Sequence, residues 1–418
     1  MATSAKSLKS FQGSQLWAGI DFGTTKIALV IGQRTADGVE ILGVGKQPSM
    51  GIRKGMIVNI PSTVEAIKRA KETAELMAGC KIHSAVIGVA GSHIKGFNSS
   101  GVVAIKNKQV SEDDVARALD AAQAVTIPQD REILHVLPQE YAVNDEDGVR
   151  NPVGMAGVRL EAKVHIVTGT TTHTQNMVRC AEQAGLAVQG VVLECLAAGE
   201  SVLTHDEREL GVALVDIGGG TTDVALFYRG SLVHSSMISM GGNHITNDIA
   251  VGLRTSIQDA ENVKTTSGCA MASQLLSDST IEVPSVGGRK SKEISKSTLA
   301  KIIEPRVEEI LSLVAEELQN SGFRHLLSAG VVLTGGTSLL DGICELAEYT
   351  LELPVRRGVP QGLGGLSDVV SSPVYATAVG LPLFLAGKET KPSASKTKLP
   401  KEYGRFVERM KSWLEEVF

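Results

Sequence analysis

Mainly apolar runs of four to seven residues recur along the chain, and segments of helical period separate them. The runs at 84–90, 188–193 and 331–334 are rich in Val, Ile and Leu, which is typical of buried strands. In the segment 61–77, apolar residues recur every three or four positions from Val64 onward, which indicates an amphipathic helix. Strands that alternate with helices in this way predict an α/β fold.

Two further apolar runs lead into the same short motif. Residues 212–223 read Val-Ala-Leu-Val-Asp-Ile-Gly-Gly-Gly-Thr-Thr-Asp, and residues 18–25 read Ala-Gly-Ile-Asp-Phe-Gly-Thr-Thr. Each motif continues into a second apolar run, so we interpret both as β-hairpins with glycine at the tip. When Asp21 is aligned with Asp216, the Thr-Thr pairs match if two glycines are inserted in the second copy. A motif repeated at this distance indicates two related halves rather than a solenoid.

The repeated hairpins carry the chemistry of a phosphate site. Glycines let backbone N–H groups approach an anion, and a carboxylate such as Asp21 or Asp216 can hold a hydrated Mg²⁺ that is shared with phosphates. Two such tips facing each other across a cleft suit a nucleoside triphosphate, whereas two unrelated tight turns are the plainer alternative. The residues expected to hold the phosphates are Gly23, Thr24, Thr25 and Lys26 in the first hairpin and Gly218, Gly219, Gly220, Thr221 and Thr222 in the second. The alternative for Lys26 is a solvent-facing strand position.

A third glycine motif follows the run at 331–334. Gly335 and Gly336 end this run, and Thr337 can cap a following helix. Glycines at the carboxyl end of a strand allow the close approach of a flat ring or a sugar, as in the ligand crevices of α/β sheets. An ordinary strand–turn–helix corner would have the same sequence.

The composition limits the classes of function. A chain of 418 residues should form more than one domain, and 43% hydrophobic with 21% charged residues is ordinary for a globular protein. The net charge of −5 gives no basis for a nucleic-acid partner. The five cysteines lack any Cys-x-x-Cys spacing, so we expect free thiols in a reducing compartment. No run approaches the ~20 apolar residues of a membrane span, and residues 1–16 do not read as a signal peptide. The expectation is a cytosolic protein, unless another feature takes it to a membrane.

The end of the chain supplies such a feature. Residues 387–400 are polar and contain Pro and Ser, which predicts a flexible linker. The segment 401–418 then places one apolar stripe along a helix, which predicts an interfacial helix that lies on a membrane. The stripe consists of Phe406, Val407, Met410, Trp413, Leu414, Val417 and Phe418. Docking of this stripe on the protein's own body, or a coiled coil, is the competing interpretation.

These features together resemble a known family. The three glycine motifs resemble the phosphate-1, phosphate-2 and adenosine motifs of the actin, heat-shock-70 and sugar-kinase superfamily. With an insertion after the first ~85 residues and the amphipathic terminal helix, the chain from about 16 to 418 resembles the FtsA family of bacterial cell-division proteins. The most specific stretches are Ile-Leu-His-Val-Leu-Pro-Gln-Glu at 133–140, Gly-Met-Ala-Gly at 154–157, and the glycine motif with its strand at 211–220.

The resemblance implies an actin-like ATPase fold of the α/β class, with two related lobes flanking a nucleotide cleft. It also implies an inserted small α/β subdomain, named 1C, and a C-terminal amphipathic helix. The expected divisions are subdomain 1A at 14–84 and 373–386, 1C at 85–163, 2A at 164–242 and 329–372, 2B at 243–328, the linker at 387–400 and the membrane-targeting helix at 401–418.

The resemblance further implies a role and a set of partners. The expected role is an ATP- and Mg²⁺-binding cytoskeletal protein that polymerises on the cytoplasmic face of the inner membrane, at the division site. It would bind anionic lipids, tether the FtsZ ring by holding the FtsZ C-terminal tail on subdomain 2B, and recruit later division proteins through 1C. A small-molecule kinase or a type IV pilus adaptor of the same superfamily is the alternative.

Three further site residues follow from the resemblance. Glu194 lies where related ATPases often have Glu-Pro, so it is a candidate for orienting the attacking water, although Cys195 replaces the proline. Glu261 and Lys264 match the segment that contacts adenosine in the family, although a helix-surface ion pair would have the same spacing. Ser267 stands where relatives tend to carry a tyrosine. Slow or negligible hydrolysis is as consistent with this pattern as fast turnover.

Overall fold

The structure is a computed structural model that describes residues 16–35, 38–275, 279–287 and 290–390. The chain divides into two compact units, Met1–Phe384 and Leu385–Phe418, and only the first six residues of the second unit are described. Within the described ranges, every helix is too short or too polar to cross a lipid bilayer.

Strands and helices are mixed along the described chain, and up to five strands follow one another. The strands are β1 (Leu16–Phe22), β2 (Lys26–Thr35), β3 (Gly38–Pro48), β4 (Ile52–Arg53), β5 (Met56–Ile57), β6 (Ser84–Val89), β7 (Lys95–Ala104), β8 (Arg131–Val143), β9 (Glu146–Val149), β10 (Arg159–Thr170), β11 (Ala187–Leu193), β12 (Val212–Ile217), β13 (Thr222–Tyr228), β14 (Ser231–Ile238), β15 (Thr280–Val283), β16 (Lys292–Ser295), β17 (Val331–Thr334), β18 (Val355–Arg357) and β19 (Leu363–Gly365). The helices are α1 (Ile60–Ala78), α2 (Glu112–Gln123), α3 (Thr171–Gln183), α4 (Glu194–Val202), α5 (His205–Leu210), α6 (Gly242–Leu253), α7 (Ile257–Ser267), α8 (Lys296–Asn320), α9 (Ile343–Leu351), α10 (Ser367–Val370) and α11 (Ala376–Thr390).

The first lobe is built on a six-stranded sheet with the order β11-β6-β1-β2-β3-β19. Strands β1, β2 and β3 form an antiparallel meander, and β6 pairs with β1 in parallel. Side chains on both faces of β1 and β2 are buried, including Ile20 and Leu29 on one face and Ala28 and Val30 on the other. Burial on both faces explains why these strands appear in the sequence as continuous apolar runs.

The second lobe repeats this arrangement. Its five-stranded sheet has the order β14-β13-β12-β17-β18, with β12 and β13 as an antiparallel hairpin and β17 parallel to β12. One apolar core joins the sheet to helices α6, α8 and α9 through residues such as Ile217, Ile249, Ile303 and Leu346. The repetition confirms the expected actin-like α/β fold of two related lobes.

The insertion is a separate small sheet covered by one helix. Its strand order is β7-β10-β8-β9, and α2 packs on it around Ala118 and Leu160. Ser111 caps α2 with a capping box, in which Asp114 is the reciprocal partner. Strand β8 passes through Pro138 without a break, because the ladder with β10 shifts register between Lys163 and Val164 and so accommodates the proline at a bulge.

Strand β10 corrects the boundaries drawn from the sequence. The division between 163 and 164 cuts this strand, which belongs to the insertion up to Thr170. Residues 187–193 join the first sheet next to β6 rather than the second lobe, and β19 also pairs with β3 of the first sheet. An apolar run reveals a strand but does not specify its neighbours, so the sequence could not assign these strands to a sheet.

The end of the described chain differs from the expectation as well. Residues 376–390 form helix α11, with Pro382 inside it. The helix therefore occupies the first four residues of the predicted linker. The rest of that linker and the whole apolar stripe of residues 401–418 lie outside the described residues.

Candidate functional site

A cleft of about 450 Å³ lies between the two lobes, a size suited to a small organic ligand. Fifteen of the residues singled out from the sequence line it. They are Asp21, Gly23, Thr24, Thr25, Lys26, Glu194, Asp216, Gly218, Gly219, Thr221, Glu261, Lys264, Gly335, Gly336 and Thr337. The three glycine motifs and the segment of α7 are therefore brought together in one place.

The tips of the two hairpins are in direct contact. A Cβ atom on Gly219 would lie 2.4 Å from Cγ2 of Thr25, and one on Gly220 would lie 2.8 Å from Oγ1 of Thr24. Glycine is required at both positions because any side chain would push the hairpins apart. The Gly218 carbonyl is held by the Thr337 hydroxyl at 2.9 Å and by the Gly242 N–H at 2.9 Å, so the third motif and helix α6 fix the second tip.

The register of the hairpins corrects the alignment made from the sequence. Asp21 pairs with Ala28 and Asp216 pairs with Asp223, so the two hairpins have the same length. No insertion is needed, and the two Thr-Thr pairs are not equivalent. The tip residues Thr24 and Thr25 correspond instead to Gly219 and Gly220. The contacts between the tips are crossed, because Gly219 lies against Thr25 and Gly220 lies against Thr24.

Two of the residues expected to bind phosphate, Gly220 and Thr222, do not line the cleft. Gly220 packs against Thr24. Thr222 is fully buried, and its hydroxyl donates a hydrogen bond to the Met240 carbonyl at 2.9 Å. We therefore assign both residues a structural role in the second hairpin.

Acidic side chains gather at the base of the cleft. Asp21 accepts a hydrogen bond from Lys26, whose side chain is only 14% exposed, so Lys26 is not the solvent-facing residue of the alternative interpretation. Burial lowers the pKa of Lys26, but Asp21, with Asp216 and Glu194 beyond it, raises that pKa by more. The amine is therefore held in its charged form.

The other carboxyl groups have raised pKa values. Burial, and then repulsion from Asp21, raises the pKa of Asp216 to about 6. Burial, and then Asp216, raises the pKa of Asp223 to about 8, so this group is mainly protonated at pH 7. Burial and the neighbouring Asp21 carboxylate raise the pKa of Glu194 well above its usual value. Several acids enclosed with one lysine make a site that favours cations.

This donor set suits a hydrated divalent cation. Among the described residues, no group of three or more His, Cys, Asp or Glu side chains is placed to bind one metal ion directly. Mg²⁺ usually keeps several of its waters and needs one or two carboxylates besides phosphate oxygens. Asp21 and Asp216 on the cleft wall fit that requirement.

The third motif packs against one of these acids. Gly335 has φ +83°, which favours glycine, and a Cβ atom there would lie 2.2 Å from Oδ1 of Asp216. Thr337 caps no long helix, because the residues 336–339 form a single 3₁₀ turn. The motif is therefore more than a generic corner, since its shape depends on a carboxylate from the second hairpin.

Lys264 and Glu261 are not a helix-surface ion pair. Lys264 is 9% exposed, and its amine donates to Glu261 Oε2 at 2.7 Å, to the Thr246 hydroxyl at 2.9 Å and to the Gly242 carbonyl at 3.1 Å. This amine therefore joins α7 to the first turns of α6, beside the second hairpin.

Sequence reasoning missed several lining residues. Asp223, Asn243 and Thr377 all line the cleft, and the Thr377 hydroxyl donates to Asp216 at 3.4 Å. A signal existed for Asp223, since it is a charged residue at the start of an apolar strand. Thr377 had no such signal, because it is 161 residues from Asp216, which it contacts.

Solved structures share this fold at low sequence identity. A chain of a PilM–PilN type IV pilus biogenesis complex matches with a TM-score of 0.64 and 17% identity, covering 88% of this chain and 98% of that one. The MreB5 protein of Spiroplasma citri bound to ADP matches with a TM-score of 0.57 and 16% identity, covering 91% of this chain and 99% of that one. These similarities establish the fold.

Sequence relatives are much more similar. The profile described as cell division protein FtsA matches residues 213–380, and the profile of the SHS2 domain inserted in FtsA matches residues 91–168. The chain is 47% identical to the cell division protein FtsA of Pseudomonas aeruginosa, over 98% of this chain and 100% of that protein. It is 41% identical to the cell division protein FtsA of Escherichia coli K12, over 97% of this chain and 98% of that protein. It is 40% identical to the cell division protein FtsA of Bacillus subtilis, over 89% of this chain and 83% of that protein. The chain therefore belongs to the FtsA family of actin-like cell division proteins.

Proposed function

We propose that this protein binds ATP with Mg²⁺ in the cleft, polymerises on the inner face of the cytoplasmic membrane at the division site and tethers the FtsZ ring there. The observation that carries the nucleotide site is the direct contact between the two hairpin tips, with Asp21 and Asp216 behind them. A ligand whose phosphates lie against the touching tips, on their cleft side, would contact both lobes at once.

The roles of the cleft residues follow from their positions. The tips around Thr24, Thr25 and Gly219 would hold the β- and γ-phosphates, and Asp21 and Asp216 would hold Mg²⁺ through its waters. The bound cation would neutralise phosphate charge. Lys264, Glu261 and the turn after Gly335 line the part of the cleft left for the nucleoside.

Hydrolysis by this site should be slow. Orienting the attacking water is the proposed role of Glu194. Burial raises the pKa of Glu194 well above its usual value, which disfavours the ionised form that would accept the proton of the water. We therefore assign the protein a mainly structural role, in which nucleotide binding matters more than turnover.

Membrane attachment is assigned to the terminal stripe of residues 401–418, which lies outside the described residues. Seven apolar side chains, each worth about 1.5–3 kcal/mol when fully buried, give an upper limit of roughly 10–20 kcal/mol. An interfacial helix buries only one face, and ordering the helix costs conformational entropy. The free energy of membrane binding that remains is roughly a few kcal/mol. Residues 387–418 carry eight Lys and Arg against five Asp and Glu, which adds a modest attraction to anionic lipids. A single tail is therefore weak, and a filament with many tails gains avidity.

The partner surfaces follow from the family resemblance and remain proposals. The FtsZ C-terminal tail is assigned to residues 243–328, and later division proteins to the insertion. Membership of the family supports both assignments, because the cell-division role requires a link between the ring and the membrane. No feature of the cleft favours a small-molecule kinase.

Calorimetry tests the nucleotide site. Asp216→Asn should weaken the binding of Mg²⁺·ATP at least tenfold in a folded protein, whereas Asp120→Asn, on the exposed face of α2, should leave the affinity unchanged. Equal affinity in the wild type and Asp216→Asn would reject the site.

Vesicle co-sedimentation tests the membrane role. The full chain with ATP should pellet with anionic vesicles, and both Trp413→Glu and a chain that ends at residue 390 should remain in the supernatant. If monomers bind as tightly as filaments, the avidity argument is wrong.

A further inference from the structure

The insertion meets the second lobe along strand β14. This strand is the edge of the second sheet, and edge strands present unpaired backbone groups. A bulge in the ladder with β13 leaves Val233 without a partner on that strand. The Val233 carbonyl instead accepts hydrogen bonds from two amides of the insertion, Asn98 Nδ2 at 3.1 Å and Gln139 Nε2 at 3.2 Å.

A buried histidine extends this network. His165 on β10 is 1% exposed and lies 2.6 Å from Asn98 Oδ1 through Nδ1 and 2.8 Å from Ser235 Oγ through Nε2. Because the Asn98 amide nitrogen donates to Val233, its oxygen must accept, so Nδ1 of His165 carries the proton and Nε2 accepts from the Ser235 hydroxyl. The imidazole is neutral, since burial and then His234 lower its pKa to about 4.

Gly96 on β7 makes room for this contact. A Cβ atom at position 96 would lie 2.4 Å from Ser235 Oγ and 2.6 Å from Nε2 of His165. Its backbone is not in the left-handed region, so conformation alone does not require glycine here. Glycine is required because a side chain at position 96 would overlap the hydrogen bond between His165 of the insertion and Ser235 of β14.

The contact between the insertion and the second lobe is polar. Two ion pairs flank the amides: Arg229 lies 3.8 Å from Glu140, and Arg150 donates to Glu209 at 3.1 Å. The two apolar clusters described within the insertion contain no residue of β14. Polar contacts between domains separate more easily than an apolar core, so this contact can open without unfolding either side.

The neighbouring strand β13 reaches the wall of the cleft. Asp223 lines the cleft and also a small cavity next to it, which Gly96, Ser235 and Ser236 line as well. Among the described residues the buried Ser236 hydroxyl has no hydrogen-bond partner, so it is free to form one when its surroundings shift. The β13–β14 pair and this cavity lie between Asp223 and the amides of Asn98 and Gln139.

We propose that Asn98, Gln139 and His165 form a releasable latch that docks the insertion on β14 and transmits the nucleotide state of the cleft to the insertion. The insertion is joined covalently only to the first lobe, through the residues before β7 and after β10, so a latch on the second lobe makes it a bridge between the lobes. A change in the angle between the lobes must then either carry the insertion along or open the latch. The transmission rests on the proposed binding of ATP, whereas the latch itself does not.

Hydrogen–deuterium exchange of the full chain tests the latch without a ligand. Gly96→Ala pushes apart Ser235 and His165. Gln139→Ala removes one of the two amide donors to the Val233 carbonyl, from a half-buried position that should tolerate alanine. In both variants the exchange of residues 95–104, 131–143 and 231–238 should be at least tenfold faster than in the wild type. The matched control is Gly364→Ala, whose Cβ would have 3.7 Å to its nearest neighbour. Unchanged exchange in the two variants would overturn the latch.

Saturation with ATP and Mg²⁺ tests the transmission. In the wild type, exchange of the same three segments should change at least threefold, and the change should be lost in Gln139→Ala although calorimetry shows that this variant still binds ATP. A wild type that binds ATP without any change in these segments would overturn the transmission. A wild type that does not bind ATP would contradict the proposed function, while the ligand-free comparison would still decide the latch.

Discussion

Gly219 and Thr25 touch across the cleft, because a Cβ atom on Gly219 would lie 2.4 Å from Cγ2 of Thr25. The two residues belong to different lobes, and nothing larger than glycine fits between the hairpin tips. Their contact fixes how close the lobes can come when the cleft is closed. The stability of the closed arrangement should therefore depend on the size of residue 219.

Gly219→Ala tests this dependence. We expect the added methyl group to displace Thr25, to reduce the affinity for Mg²⁺·ATP at least tenfold and to lower the free energy of unfolding by about 1–3 kcal/mol. Calorimetry and urea denaturation measure the two effects. Gly190→Ala is the control, since its Cβ would have no neighbour within 4 Å. Wild-type affinity in Gly219→Ala would show that the tips need not meet.

The buried pair of Asp21 and Lys26 should behave as one unit. Removing one partner leaves the other charge enclosed without compensation, so Asp21→Asn or Lys26→Met alone should each cost about 3–5 kcal/mol of unfolding free energy. The double variant should lose clearly less than the sum of the two, because both charges of the pair are removed together. Urea denaturation of the four proteins measures this coupling, and strictly additive losses would contradict it.

Lys264 should contribute far more to stability than an exposed basic residue. Its amine has three oxygen partners and is nearly enclosed, so Lys264→Met should lower the free energy of unfolding by about 2–4 kcal/mol. Arg69→Met removes an exposed pair with Glu65 and should cost no more than about 0.5 kcal/mol. If Lys264→Met and Arg69→Met lower the free energy of unfolding equally, the three hydrogen bonds of the Lys264 amine contribute nothing to stability beyond those that water would make.

The acid at position 223 predicts a specific pH dependence. The folded pKa of Asp223 is about 8, above the usual 3.8, so the folded state binds the proton more tightly than the unfolded state. Stability from this group is present at low pH and is lost as the pH rises from about 4 to 8. Asp223→Asn removes the loss and should be more stable than the wild type at pH 8 by about 1–4 kcal/mol, with little difference at pH 4. Thermal unfolding in a pH series, with the exposed Asp120→Asn as control, measures the difference. If the difference in stability between Asp223→Asn and the wild type does not grow with pH, Asp223 ionises freely in the folded protein.

Local chemistry allowed much to be predicted from the sequence alone. The apolar runs and their period predicted strands such as β6 and helices such as α1, because burial of one or both faces requires those patterns. The three glycine motifs predicted a cleft lined by Asp21 and Asp216. Repetition of a motif implied two related lobes, since a short chemical signature is visible without knowledge of its surroundings.

Long-range packing decided the rest. The equal length of the hairpins, and hence the pairing of Thr25 with Gly219 across the cleft, depended on strand register, which the repeated Thr-Thr pairs misrepresented. The assignment of β10 to the insertion and β11 to the first sheet depended on neighbours far away in the chain. The burial of Lys264 depended on the position of α6. In each case the side chain specifies what it can bind or bury, whereas only the folded chain determines which partner lies within reach.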